Sequence, residues 1–139
     1  MAVTFDPGAN LLVTPRLEAY FNALMKNAHS QLGVNSVNIS STTNHPTNKD
    51  HSRHTLGLAF DINYINGTHV TSNESSIISG IELDFFYEVL NTDQQLGEQY
   101  LEFYSPVNAQ RWYEDTGNTY EPTQQANHNN PPHIHISLQ

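Results

Sequence analysis

Hydrophobic residues recur at helical spacing along two stretches of the chain. The first begins after Thr14-Pro15, a hydroxyl that can cap a helix and a proline at the first helical position, and ends at Gly33. The second predicts a helix over residues 79–90. Each predicted helix has one apolar face, so we expect both to pack on a core. The apolar positions are Leu17, Tyr20, Phe21, Leu24, Met25 and Ala28 in the first, and Ile81, Phe85, Phe86, Val89 and Leu90 in the second.

Alternating apolar and polar residues, the period of a half-buried strand, mark other parts of the chain. The predicted strands are residues 34–41, 58–64, 101–104 and 133–138. Successive side chains of a strand point to opposite faces of a sheet. Asp61 therefore shares a face with Ala59 and Asn63, and His133 shares a face with His135.

Turn-forming residues separate these elements. Asn66-Gly67 predicts a two-residue hairpin turn of type I′. Residues 42–53 are polar and contain Pro46, which predicts a loop. Residues 105–132 are rich in Asn, Gln, Pro and Gly and predict a long loop of the functional or mobile kind.

The length of the chain bounds its organisation. With 139 residues, we expect one domain with a modest core. We place that domain at residues 14–139, after an N-terminal lead-in of residues 1–13 that carries one apolar patch. The predicted helices and strands together indicate an α+β fold.

Charge and composition exclude several classes of function. A net charge of -9 with five Lys plus Arg argues against a nucleic-acid partner. No apolar run is long enough to predict a membrane span. The first residues lack a basic cluster and a long apolar stretch, so we expect no Sec-type signal peptide. Without cysteine, disulfides and thiolate metal ligands are excluded.

Candidate chemistry is concentrated in two segments. His54 precedes the predicted strand that contains Asp61, and Gly57 allows a tight backbone path between them. If the last predicted strand pairs beside this one, His135 completes a His/Asp/His triad. Imidazole and carboxylate are good zinc ligands, and three protein ligands leave an open position, as in catalytic zinc sites. We therefore expect Zn²⁺ at His54, Asp61 and His135.

The other histidines have different expected roles. His133 lies roughly 6–7 Å from His135 along the strand, beyond ligand range, where it would transfer protons or stabilise charge on a polarised carbonyl. His51 and His128 flank the candidate segments and stay ambiguous. A competing hypothesis has no metal and makes the histidines a polar or pH-responsive surface patch. The histidines assigned to surface or satisfied core positions are His29, His45 and His69.

The two motifs together resemble a known family. Ser52-x-His54-x-x-Gly57-x-Ala59-x-Asp61, followed by His133-x-His135, resembles the M15 zinc peptidases and the wider group of lysostaphin-like, D-Ala-D-Ala-type and Hedgehog-like zinc folds. The resemblance covers about residues 14–138, with specific identity confined to the motifs. It implies an α+β fold in which a small antiparallel sheet with packed helices carries the zinc site.

The resemblance also implies an activity. His54, Asp61 and His135 would bind zinc, and the chain would hydrolyse amide bonds in peptidoglycan stem or cross-link peptides through a metal-activated water. The alternative is a non-catalytic zinc module of the same fold that binds peptidoglycan or peptides. Without a Sec signal, the chain would act on a periplasmic or extracellular cell wall as an endolysin released at lysis or as a toxin delivered by another route. A delivered toxin would have an immunity protein as partner.

The chain departs from the family pattern in its proton-transfer residues. Many members place an acidic base three residues before the last ligand, where this chain has Pro132. We therefore assign His133 the auxiliary catalytic role; a second auxiliary histidine would fall near Asn130. Carboxylates that would replace the missing base are Glu114, Asp115 and Glu121.

Substrate-binding residues differ as well. Many members carry an Arg or Gln after the first predicted strand, where this chain has Thr43-Asn44, so Arg53 or Asn44 would bind the substrate or the oxyanion. Trp112 is expected to serve as a packing residue or as a substrate platform. Ser52 would order the His54 loop through its hydroxyl, since no His/Asp relay surrounds it as a nucleophile.

Overall fold

The computed structural model describes residues 1–10, 12–43, 53–54 and 56–139. Within these residues the chain forms eight strands and three helices. In chain order they are β1 (Ala2–Phe5), α1 (Pro15–Leu32), β2 (Ser36–Ser41), β3 (Ala59–Ile65), β4 (Thr68–His69), α2 (Ile77–Leu96), β5 (Tyr100–Tyr104), β6 (Ala109–Tyr113), β7 (Gly117–Tyr120), α3 (Pro122–Asn127) and β8 (Ile134–Leu138). These elements agree with the predicted α+β class.

The first helix begins and ends as its sequence predicts. The hydroxyl of Thr14 accepts a hydrogen bond from the backbone N–H of Leu17 at 3.2 Å, and Pro15 opens the helix. Gly33 ends it in the left-handed region at φ 69°, where its N–H donates to the carbonyl of Ala28. The apolar positions predicted for this helix are all buried.

The second helix is longer than the stretch predicted for it. It is capped by Ser76, whose side chain accepts from the backbone N–H of Ser79, and it continues to Leu96. The sequence pattern stops early because the buried face continues through polar residues, Thr92 and Asp93, which give no hydrophobic signal.

The strands form one sheet of order β1-β2-β3-β8-β5-β6-β7 in the described residues, with β4 paired to β3. The β1–β2 pair is parallel and the other named pairs are antiparallel. The sheet is therefore larger than the small antiparallel sheet expected from the resemblance, and it is mixed. Its parallel pair arises because α1 connects β1 to β2 as a crossover helix.

Two segments carry structure that the sequence pattern did not predict. Within the lead-in, β1 pairs along β2, and within residues 105–132 lie β6, β7 and α3 instead of a long loop. Both groups of strands lie at the ends of the sheet and stay largely exposed or half-buried. Edge strands of this kind lack the apolar alternation that marks a strand with one buried face. By contrast, the hairpin at Asn66-Gly67 is confirmed, with φ of 53° and 78° joining β3 to β4.

The two long helices cover one face of the sheet. The ring of Phe21 from α1 meets that of Phe60 from β3 at 5.0 Å, and Phe86 from α2 meets Phe103 from β5 at 5.7 Å. Ile136 of β8 is buried between these strands. Because side chains alternate along each strand, the opposite face of β3, β8 and β5 is left for polar residues. None of the described helices has both the length and the hydropathy that crossing a bilayer requires.

Candidate metal centre

The neighbouring strands β3 and β8 and the turn before β3 bring three ligand-type side chains together. In the β3–β8 ladder Asp61 lies directly opposite His135, which confirms the predicted pairing of these strands. Nδ1 of His135 is 3.1 Å from Oδ1 of Asp61 and 3.1 Å from Nε2 of His54. Nε2 of His54 is 3.2 Å from the same Asp61 oxygen. All three residues are buried, so the described part of the chain contains a group that could hold a metal ion.

The triangle of donor atoms has the size of a metal site. A tetrahedral zinc ion with bonds of about 2.0–2.1 Å holds its ligand atoms about 3.3–3.4 Å apart. The three separations of 3.1–3.2 Å lie slightly inside that spacing. Three lone-pair-bearing atoms this close repel one another unless a proton or a cation lies among them. The residues therefore fit a small cation held on one triangular face.

The outer atoms of His54 and Asp61 are anchored by partners that fix their orientation. Nδ1 of His54 lies 2.9 Å from the carbonyl of Thr42, and because a carbonyl only accepts, Nδ1 carries the proton. In neutral His54 the lone pair is then on Nε2, which faces Asp61 and His135. Oδ2 of Asp61 accepts from the hydroxyl of Ser41 at 2.6 Å, which leaves Oδ1 facing the two imidazoles.

The outer nitrogen of His135 meets a residue that the sequence analysis missed. Nε2 lies 3.1 Å from the hydroxyl of Ser137 and 3.4 Å from Oε1 of Glu102. Glu102 of β5 is buried, with 5 % of its surface exposed. The sequence signal was present in Tyr100-x-Glu102-x-Tyr104, which puts a charge between two phenols on one face of a strand. The pattern indicates a role at the site only if β5 lies beside β8, and the sequence alone does not give that strand order.

The electrostatics of the cluster keep both carboxylates ionised. Burial would raise the pKa of Asp61, but the adjacent imidazoles of His135 and His54 outweigh it and hold that pKa well below its usual range. Burial likewise opposes ionisation of Glu102, but His135 and the hydroxyls of Ser137 and Tyr100 hold its pKa far below normal. Burial would lower the pKa of His135, whereas Asp61 and Glu102 raise it to about 9. Buried negative charge on both sides of this imidazole makes the site attractive to a cation.

His133 lies beside the cluster and is not part of the group of described side chains that could hold an ion. Its Nε2 is 3.9 Å from Oδ2 of Asp61. Its Nδ1 lies 2.8 Å from the carbonyl of Pro131, to which it donates. That hydrogen bond leaves the lone pair of Nε2 on the side of the ring that faces Asp61.

His128, which the sequence left ambiguous, belongs to the wall of the site. Its ring centre is 4.8 Å from that of His133 and 5.5 Å from that of His135. Its Nδ1 is 2.6 Å from the carbonyl of Gln124. Burial and the neighbouring His135 lower the pKa of His128 to about 4. His128 therefore stays neutral over the ordinary pH range.

Arg53 and Trp112, two of the residues expected to bind substrate, lie in different places in the structure. Arg53 reaches Glu102 at 3.4 Å and the carbonyl of Leu138 at 3.1 Å, so it joins the site through Glu102. Trp112 does not join the cluster: it pairs with Leu101 and packs against the core on the helix-covered face of the sheet. The packing role is therefore the one that its position supports. Asn44 and Ser52 lie outside the described residues.

The carboxylates proposed to replace a missing base are not at the cluster in the described structure. Glu121 lies 3.9 Å from Arg111, one strand beyond Glu102, and Glu114 and Asp115 are exposed in the turn after β6. The buried carboxylate beside the ligands is Glu102 instead. Among the remaining histidines, His29 contacts the carbonyl of Val34 and His69 that of Val70, apart from the cluster. His45 and His51 lie outside the described residues.

A groove runs along the sheet from the cluster. Its volume is about 260 Å³ and it is open to solvent on one side. Its lining includes Asp6, Asp61, Asn63, His69 and His133. Asp61 and His133 therefore border the same groove.

Comparison of the chain with protein-family models, with curated proteins and with solved structures gave no match. The resemblance carried by the two motifs therefore stays a prediction from the sequence.

Proposed function

We propose that this protein is a zinc-dependent peptidase that hydrolyses amide bonds in peptidoglycan stem or cross-link peptides. The observation that carries the proposal is the geometry of His54, Asp61 and His135. Their inner atoms form a triangle with edges of 3.1–3.2 Å, and the outer atom of each is held by a hydrogen bond. Outer hydrogen bonds of this kind orient metal ligands in metalloenzymes.

The donor set favours zinc among common biological cations. Two imidazole nitrogens and one carboxylate oxygen suit zinc, whereas magnesium and calcium prefer sites built from oxygen ligands. Three protein ligands also leave a tetrahedral ion with one open position, which is the feature that separates catalytic from structural zinc sites. When bound, zinc would lower the pKa of a water molecule to about 7 and polarise the carbonyl of the scissile bond.

The chain's own residues supply the proton transfer. His133 is the proposed general base, because its Nδ1–H is held by the carbonyl of Pro131 and its Nε2 faces Asp61. It would accept a proton at Nε2 and return it to the leaving amine nitrogen. This role replaces the acidic base that Pro132 excludes from the position expected in many members of the family.

The groove that runs along the sheet from Asp61 and His133 is the proposed substrate cleft. Its described lining combines polar side chains, Ser40, Asn63 and His69 among them, with the apolar surface of Pro131 and Pro132. A peptide, which carries both amide groups and apolar side chains, suits a lining of this mixed kind. Peptidoglycan peptides are proposed from the sequence resemblance, and the cell wall, periplasmic or extracellular, is the proposed place of action. If the protein is a delivered toxin, an immunity protein is a proposed partner.

One observation favours a second function, a zinc module that binds peptidoglycan or peptides without cutting them. Position 132 is a proline instead of an acid, so a base of the expected type is missing there. In this alternative His133 would contact a bound peptide without transferring protons.

Mass spectrometry of muropeptides decides between the two. Purified peptidoglycan is incubated with zinc-loaded protein, with and without chelator, and the products are compared with those of Asp61→Asn and of His29→Ala. The peptidase predicts new peptide termini, each made by addition of one water, in the wild type and in His29→Ala. It predicts none with chelator or with Asp61→Asn. A protein that binds zinc and sediments with peptidoglycan but releases no peptide supports the binding module.

A further inference from the structure

Glu102 lies one strand away from the proposed metal ligands. In the sheet it faces Ser137 of β8 on one side and Arg111 of β6 on the other. It is on the polar face of the sheet, the face that carries His135. A buried carboxylate is costly unless hydrogen bonds and opposite charges compensate for the loss of water. The partners of Glu102 therefore indicate what holds this charge in place.

The directions of the hydrogen bonds around Glu102 are fixed by its chemistry. An ionised carboxylate accepts hydrogen bonds and donates none. The hydroxyls of Ser137, Tyr100 and Tyr104 therefore all donate to it. Tyr104 has its own donor, because Nη2 of Arg111 lies 2.9 Å from the phenolic oxygen. The proton of each hydroxyl therefore lies in a hydrogen bond to the carboxylate.

The hydrogen bond from Ser137 to Glu102 determines the tautomer of His135. With its proton given to Glu102, the hydroxyl of Ser137 has lone pairs left to accept from Nε2 of His135 at 3.1 Å. Oε1 of Glu102, itself an acceptor, lies 3.4 Å from the same nitrogen. Both neighbours of Nε2 therefore require it to carry a proton. In neutral imidazole the lone pair is then on Nδ1, the atom that faces Asp61 and His54.

Two guanidinium groups offset the charge of Glu102. Nη1 of Arg53 and Nη2 of Arg111 lie 3.4 and 3.6 Å from Oε2. Oε1, which meets Ser137 and His135, is on the side of the metal cluster. The two oxygens of the carboxylate therefore have different partners. Oε2 contacts the two arginines and the two tyrosines, and Oε1 contacts Ser137 and His135.

We propose that Glu102 is a positioning residue of the metal centre, which holds the proton of His135 on Nε2, directly and through Ser137, and so directs Nδ1 to the metal. The inference rests on the metal site of the proposed function and is independent of peptide hydrolysis. It is a carboxylate–histidine–metal arrangement in which the carboxylate comes from the strand next to that of the ligand.

The experiment measures zinc affinity, using zinc itself as the probe in competition with a chromophoric chelator. Glu102→Gln keeps the size of the side chain but removes the charge, and its amide can donate as well as accept. We expect zinc to bind about 10–100-fold more weakly, the usual effect of losing such a partner. Glu121→Gln is the matched control, because Glu121 is also a carboxylate near Arg111, at 3.9 Å, but it follows β7, the end strand of the sheet, instead of lying beside β8. It should change the affinity less than two-fold.

A second readout follows the tautomer directly. Long-range ¹H–¹⁵N NMR of the zinc-loaded wild type should show His135 protonated at Nε2 and bound through Nδ1. In Glu102→Gln we expect a second set of His135 signals or exchange broadening. If Glu102→Gln does not fold, Ser137→Ala removes the hydroxyl relay while leaving Glu102 with its tyrosine and arginine partners. It should weaken zinc binding several-fold.

The outcomes separate this inference from the proposed function. Zinc affinity within two-fold of wild type in Glu102→Gln, or in Ser137→Ala where that variant is used, overturns the positioning role. An equal loss in Glu121→Gln also overturns it, because the effect would then be one of general charge. If the wild type binds no zinc, both proposals fail. If Glu102→Gln weakens zinc binding in a protein that cuts no peptidoglycan, the positioning role stands and the peptidase is wrong.

Discussion

Asp61 and His135 are directly opposed in the β3–β8 ladder, and this register places Oδ1 of Asp61 3.1 Å from Nδ1 of His135. A slip of one residue in either strand would turn one of these side chains to the helix-covered face. The apolar residues that alternate with them, Ile62 and Ile136 among others, are fully buried on that face. The same burial that holds the core together therefore fixes the register that assembles the site.

His133 should matter for catalysis and not for metal binding. We predict that His133→Ala lowers kcat/KM for peptide cleavage by about 10²–10⁴-fold, the range for loss of a general base, and changes the zinc Kd less than two-fold. Kinetics on a defined muropeptide and a chelator competition measure the two effects. His29→Ala is the matched control, since Nδ1 of His29 also meets a backbone carbonyl, at 2.9 Å, away from the site. A large loss of zinc affinity in His133→Ala would make His133 a ligand and contradict the assignment.

Gly57 should couple the His54 turn to the first helix. Its φ is 72°, its N–H donates to the carbonyl of His54 at 3.0 Å, and its carbonyl accepts from the N–H of Thr14 at 3.0 Å. A Cβ at this position would lie 3.2 Å from the backbone nitrogen of Thr14. We predict that Gly57→Ala lowers the free energy of unfolding by more than the roughly 1–2 kcal/mol of the left-handed backbone alone, and weakens zinc binding.

The control for this variant is Gly33→Ala. Gly33 has a similar φ of 69°, but no atom of the described structure lies within 4 Å of the place that a Cβ would occupy there. Denaturant unfolding of both variants, with zinc titrations, should show a smaller destabilisation and an unchanged zinc affinity in Gly33→Ala. Equal effects in the two variants would contradict the coupling between Gly57 and the site.

Glu82 should make the folded state less stable as the pH rises. It is fully buried in α2, and its Oε1 has no hydrogen-bond partner among the described residues. Burial raises its pKa from 4.5 to about 7, with partial opposition from the N–H of Thr71. Between these values the unfolded chain has lost the proton and the folded chain keeps it, so stability falls as the pH increases. The fall should total roughly 3 kcal/mol between pH 4.5 and 7.5.

Urea unfolding of the wild type and Glu82→Gln across that interval measures this contribution. The variant keeps the shape and cannot ionise, so the difference in stability between the two proteins should change with pH in favour of Glu82→Gln at pH 7.5. Asp93, whose pKa burial raises to about 6, acts in the same direction but is present in both proteins. A difference that stays constant with pH would show that Glu82 does not titrate in this range.

Trp112 should contribute to stability and not to substrate binding. It packs against the core on the face of the sheet away from His54, Asp61 and His135. We predict that Trp112→Phe lowers the free energy of unfolding by about 1–2 kcal/mol and leaves KM for the muropeptide within two-fold. A several-fold rise in KM with unchanged stability would restore the substrate-platform role.

The proposed ligands could be predicted from sequence because all but one of the steps in the inference are local. The period of two puts Asp61 and His135 on defined faces of their strands, and the adjacency of the two strands was the single assumption. Glu102 could not be found in this way. Its role depends on β5 lying on the far side of β8, and strand order is decided by how the helices and apolar faces pack together, not by the pattern within one strand.

The missed elements have a related physical reason. β6 and β7 complete the sheet at one edge, where Gln110, Arg111 and Asn118 face solvent or other polar groups. With little apolar surface to bury, their sequence resembles that of a loop. The sequence pattern therefore predicted the centre of the sheet, where burial dictates alternation, and failed at its edges.

The central claim is that His54, Asp61 and His135 bind one zinc ion, and zinc titration of untagged, chelator-treated protein tests it most directly. With wild type and Asp61→Asn side by side, we predict one zinc per chain in the wild type and an affinity weaker by more than about 100-fold in the variant, exceeding the loss expected for an outer partner. Zinc binding of equal strength in the two proteins, or no zinc binding by the wild type, would contradict the central claim.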